Sequence, residues 1–148
     1  LGQHDEGATL MQSLPEQLLT VLSEVLPVDE ESDGALTVRH DGTIASLRVV
    51  AITEGLDLVS LTQVVVWDLL LNKKIRDIVA EQSHSILLGS ISVVEKPANP
   101  AIKRNSGKSA DVLLRYNFPG GGLSDDALQT LILMVLDKGA EIRRALTG

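Results

Sequence analysis

"ALTVRHDGTIASLRVVAITEGLDLVSLTQVVVWDL", residues 35–69, decides the fold. Two runs rich in β-branched residues flank Asp41-Gly42, a pair that suits the positive φ angles of a two-residue hairpin turn. Glu54-Gly55 makes a second turn, after which Leu56 to about Leu69 reads as a third strand. Three strands in succession, joined by connections too short for a crossover helix, must be antiparallel neighbours. The second strand sets Ala45, Leu47, Val49 and Ala51 on one face and Ile44, Val50 and Ile52 on the other. In the third, Leu58, Val64 and Val66 point one way and Val59, Leu61, Val65 and Trp67 the other. Both faces are thus apolar, which predicts that both are covered, by helices, a partner or bound cargo.

Outward from this stretch the pattern turns helical. Ser13-Leu14-Pro15-Glu16 reads as a capping box opening a helix with Leu14, Leu18, Val21, Leu22 and Val25 on one face, closed by Pro27. "VDEESDG", residues 28–34, reads as an acidic loop. Asn72 is placed to cap a second helix from Lys73 to about His84, with Ile75, Ile78 and Val79 inward. "ILLGSISVVE" (86–95) and "DVLLRYNF" (111–118) read as the fourth and fifth strands, and Ser124 caps a last helix running to about Leu146. The expectation is one α+β domain over residues 13–148, after a flexible lead-in at 1–12. Its antiparallel sheet would have five strands and its helices number three, in the order α-β-β-β-α-β-β-α.

The chain has 148 residues, a formal net charge of -7 and no cysteine. Its length fits one core. The missing thiols exclude disulfides, thiol catalysis and cysteine-ligated zinc. An acidic surface repels phosphate backbones and anionic membranes, and 2% aromatic content offers no platform for stacking bases, so neither nucleic acid nor membrane is an expected partner. No segment resembles a signal peptide or is long and apolar enough to cross a bilayer, which fits a cytoplasmic protein.

Several motifs touch on catalysis and fall short of it. "YNFPGGGLSDDALQT", 116–130, runs from a strand through three glycines into a helix, the arrangement of many phosphate loops. Here Ser124 takes the helix amides, and Asp125 and Asp126 already sit on its positive end, so a turn is the favoured reading. "NSGKSA", 105–110, has the Gly-Lys-Ser ending of a P-loop but Ile102 where its first glycine belongs. His4, His40 and His84 lack ligand spacing, and no nucleophile elbow is present. The loop 96–108, with Lys96, Lys103, Arg104 and Lys108, reads as a solvated connection or as an anion or acidic-partner contact. No catalytic residue, metal site or cofactor is expected.

The last helix carries "LILMVL", six apolar residues at 131–136. Leu128, Leu131, Ile132, Val135, Gly139, Ile142 and Leu146 form a core stripe, and Gly139 within it suggests close packing. Leu133, Leu136 and Ala140 fall beside that stripe. They read either as a broadened core face or as an interface, and the expectation carried forward is an interface with a second copy or a client.

Three stretches, "VVVWDLLLNKKIRDIVAEQS", "ILLGSISVV" and "DVLLRYNFPGGGLSDDALQTLILMVLDKGAEIRRAL", together with the element order, resemble the YbjN-like family, whose domains share the fold of type III secretion chaperones. The resemblance spans roughly residues 14–146. Gln82-Ser83-His84 stands where that family often has Asn late in the second helix. The resemblance implies a non-enzymatic, chaperone-like or regulatory protein that forms a homodimer, engages an unknown protein client and needs no cofactor. A small-molecule or lipid-binding domain with an apolar cavity is the alternative.

Overall fold

A computed structural model describes residues 12–96 and 108–148. In chain order the elements are α1 (Leu14–Ser23), β1 (Val28–Glu30), β2 (Leu36–His40), β3 (Thr43–Thr53), β4 (Leu56–Leu70), α2 (Lys73–Ser85), β5 (Ser90–Lys96), β6 (Ser109–Pro119) and α3 (Asp125–Thr147). The strands form one antiparallel sheet in the order β1-β2-β3-β4-β6-β5. The class is α+β as expected, but the sheet has six strands, not five. The additional strand is β1, read from sequence as an acidic loop. Val28, Asp29 and Glu30 pair with Val38, Thr37 and Leu36, so its extended form comes from a tertiary ladder and not from its own composition.

Local chemistry accounts for the element boundaries. Asp41 and Gly42 both have positive φ, 46° and 84°, the requirement of a tight hairpin turn between β2 and β3. Ser13 caps α1 by accepting from the Glu16 amide, Asn72 caps α2 by accepting from the Ile75 amide, and Ser124 caps α3 by accepting from the Ala127 amide. Helix α1 ends at Ser23, one turn earlier than its apolar spacing suggests, which leaves Val25 exposed.

All three helices lie on one face of the sheet. Val59, Leu61, Val65, Val112 and Leu114 from the strands meet Leu18, Leu22, Leu128 and Ile132 from α1 and α3 in one continuous core. Helix α2 packs beside α3 and over β5. The alternation of β4 breaks at a β-bulge between Val64 and Val66. Val65 and Val66 are both buried there, and Trp67, grouped by strict alternation with Val59, Leu61 and Val65, is 47% exposed. Asp68, at φ 52°, donates its amide to Asp111 Oδ1, and Lys96 Nζ reaches both carboxylates at 2.6 and 2.9 Å. Burial pushes the Asp111 carboxyl up, but the Asp68 amide and the Lys96 ammonium outweigh it and hold it below the usual value.

Candidate interaction surface

Helix α3 decides whether the expected interface exists. Leu136 and Ala140 are 0% and 1% exposed and belong to the interior, which corrects their placement at an interface. The cause is lateral. Helix α1 packs on one flank of α3 and α2 on the other, so its buried positions span an arc of about 160° at ~100° per residue, wider than a sheet-facing stripe. Leu133 sits at the edge of that arc and is half-buried, whereas Met134 is exposed. Gly139 lies where a Cβ would come within 2.0 Å of Gln63 Oε1. The buried Gln63 amide donates to Thr43 Oγ1 at 2.8 Å and to the Leu136 carbonyl at 3.1 Å.

This polar seam continues outward. Thr43 Oγ1 donates to the His40 carbonyl. His40 Nε2 lies 2.7 Å from Asp137 Oδ1, and Arg143 Nη1 donates to the Val65 carbonyl. The seam ties the β2–β3 hairpin to α3. Sequence placed His40 only beside Asp41; Asp137, 97 positions away, carried no signal of the contact. Among the described residues no group of three or more His, Asp or Glu side chains is disposed to hold a metal.

The glycine-rich stretch behaves as a turn. The Gly120 amide donates to the Asp57 carbonyl and the Leu123 amide to that of Gly120. A Cβ on Gly120 would lie 2.6 Å from Val59 Cγ2, so this glycine serves close packing under α1. At the start of α3 the Gln17 side chain donates to Asp125 Oδ1 and to the Leu123 carbonyl. The Asp125 carboxylate is thereby engaged with α1. Ser109, the Ser of the Gly-Lys-Ser sequence, begins a strand and not the helix a phosphate loop requires. His4, Lys103 and Arg104 lie outside the described residues.

The opposite face of the sheet is the surface sequence reasoning only half identified. Among the described residues no helix packs on it. The register places Ile44, Val64 and Leu113 in one cross-strand row, Ser46, Thr62 and Arg115 in the next, and Val50, Leu58 and Pro119 in another. Ile44, Val64, Leu113 and Leu58 are half-buried, and Val50 is 41% exposed. Exposed Val94 stands on β5 beside Asp111, and Trp67 flanks Ile44 at a shallow hollow. Between the two apolar rows lie two polar ones, Ser46–Thr62–Arg115 and Arg48–Ser60–Asn117, with Arg48, Arg115 and Asn117 exposed. The expectation that both faces are covered holds for one face only within the described chain.

A groove of about 570 Å³ opens beside this face, at the end of β3 that outruns β2. Pro15, Leu18 and Leu19 of α1 form one wall, Leu36, Leu47 and Val49 the floor, and Glu16, Glu30 and Asp33 the rim. Arg48 Nη2 bonds Asp33 Oδ2 at 2.7 Å, and that bond holds the Asp33 carboxyl below its usual value, with help from the Ala35 amide.

No protein-family model matches the chain, and a search of curated proteins returned no match. Among solved structures the chain is similar to one described as "Crystal structure of YbjN, a putative transcription regulator from E. coli", at 10% identity and a TM-score of 0.50 over 86% of this chain and 87% of that one. The likeness is one of fold: the chain has a YbjN-like fold.

Proposed function

We propose that this chain is a non-enzymatic, chaperone-like or regulatory protein-binding domain, and that the uncovered face of its sheet is where it binds protein. One observation carries the reading: the three helices occupy one face, and the other presents Ile44, Val64 and Leu113 in a row with exposed Trp67 beside Ile44, and Val50 with Leu58 in a second apolar row beyond two polar ones. A sheet face serving only as solvent boundary alternates to polar residues, and contiguous exposed apolar surface marks interaction sites. The likeness to YbjN, described as "a putative transcription regulator", fits a regulatory role. A homodimer through the same face is the simplest assembly, because a two-fold axis pairs one patch with itself.

A small-molecule or lipid-binding role has less support. The cavities among the described residues are open grooves at the edges of the fold, whereas a ligand site for such molecules encloses most of its occupant. Thr62→Arg, placed mid-face and away from the core, tests the reading. Affinity purification from the native host with mass spectrometry, and light scattering of the pure protein, should find a partner or a second copy with the native chain and lose it with the variant. Equal recovery and equal mass with both proteins, each natively folded, would refute it.

A further inference from the structure

We infer that the free edge of β3 at Val49–Ala51 is a strand-addition site for an extended partner segment with apolar residues at alternate positions, flanked on the same groove-facing side by basic residues. The inference rests on the protein-binding reading and names the chemistry of the partner.

The backbone supplies the first argument. The β2–β3 hairpin closes on His40 and Thr43 around a two-residue turn, so that pair is hydrogen-bonded and the alternation continues at Ala45 and Leu47. The even-numbered residues bond to β4. Pairing with β2 ends at Leu36 and Leu47, whereas β3 continues to Thr53. Val49 and Ala51 therefore turn their amides and carbonyls away from β4, toward an edge with no strand among the described residues. Val50 and Ile52 beside them are 41% and 54% exposed. A β-bulge between Ala51 and Thr53 ends the regular run, so the site accepts a short segment.

The second argument is the groove. A segment laid along this edge would direct every other side chain toward the helix side of the sheet. There the 570 Å³ groove, walled by Leu18 and Leu19 and floored by Leu47 and Val49, has room for them. Main-chain bonds then supply affinity and the groove supplies selectivity, the usual division of labour in strand addition.

Charge selects the occupant. Glu16, Glu30 and Asp33 rim the groove against the single cation Arg48, which is already bonded to Asp33. A second copy of a chain with net charge -7 would bring the same acidic rim against this one. A basic segment is attracted by it.

The test is selection of a phage-displayed random dodecapeptide library on the full 148-residue chain. Enriched peptides should carry apolar residues at alternate positions, flanked by Lys or Arg on the same side. In 15N-labelled protein they should shift the Val49 and Ala51 amide resonances. Ala51→Pro removes an edge-facing amide and is tolerated at an edge strand, and Glu30→Lys reverses rim charge without touching the core. Each should weaken the selected peptides by about tenfold or more. The inference is overturned if nothing enriches above an unrelated control protein, or if acidic peptides enrich. It is equally overturned if the selected peptides leave the Val49 and Ala51 amides unmoved, or if Ala51→Pro changes only the mass of a self-associated species. Should Ala51→Pro fail to fold, the amide shifts and Glu30→Lys decide alone. Thr62→Arg separates the two readings. Failed peptide selection with partner loss in Thr62→Arg refutes only the edge site, and failure of both refutes protein binding altogether.

Discussion

Gly139→Ala is the perturbation whose outcome follows most directly from the packing between α3 and the sheet. On helix propensity alone the substitution should stabilise the chain by about 0.8–1 kcal/mol, since alanine is the best helix former and glycine among the worst. The structure predicts the opposite sign. The new methyl carbon would stand 2.0 Å from Gln63 Oε1 and 2.2 Å from Cδ, and Gln63 is fully buried on a central strand. Either the amide group moves or the helix does. Moving the amide breaks its bonds to Thr43 Oγ1 and the Leu136 carbonyl, and leaving buried polar groups unpaired costs about 1–3 kcal/mol. Moving the helix overpacks the core at a further ~1–3 kcal/mol. With both costs incurred and the propensity gain subtracted, the net loss is about 1–5 kcal/mol. Urea unfolding followed by circular dichroism reads it as a lower midpoint at unchanged slope. Gln63→Ala removes the clash, so the double mutant should be more stable than the sum of the two single losses, by about 0.5–3 kcal/mol. If Gly139→Ala equals or exceeds the native stability, or if the two substitutions add, the account of this contact is wrong.

Leu136→Ala should cost about 2–5 kcal/mol, as a core truncation does, and Leu133→Ala, at the half-buried edge of α3, should cost clearly less in the same urea titration. Asn72→Ala should lower stability by about 1 kcal/mol through loss of the cap on the Ile75 amide. Asp33→Asn should be destabilising at neutral pH. Because the Asp33 carboxyl is held below its ordinary value of 3.8, its contribution is complete above that value and is lost as pH falls through the folded one. The gap between native and variant melting temperatures should therefore close in acid, and a gap that is unchanged at pH 2 would contradict the Arg48–Asp33 assignment.

The parts of this fold that are legible in sequence are those governed by local chemistry. Asp41-Gly42, Ser13, Asn72 and Ser124 each act within four residues of themselves, and each marks a turn or helix start that the structure contains. The parts that are not legible depend on distant partners. Val28–Glu30 is a strand only because β2 lies beside it. The bulge in β4 lies in its ladder with β6, and it turns Val66 inward and Trp67 outward against a strict two-residue alternation. Leu136 and Ala140 are buried by helices flanking α3, which helical periodicity alone does not reveal. The two-sided apolar character of β3 and β4 was visible at once. Which side lacked a helical cover required the whole topology.

The reading of the uncovered face as a protein-binding surface is tested most directly by a photo-crosslinking residue at Thr62, mid-face, with a matched control at exposed Glu141 on α3. Irradiation in the native host should yield a discrete adduct, with a partner or a second copy, from position 62 and none from position 141. Absence of an adduct from position 62 in a natively folded protein, or the same adducts from both positions, would contradict the account.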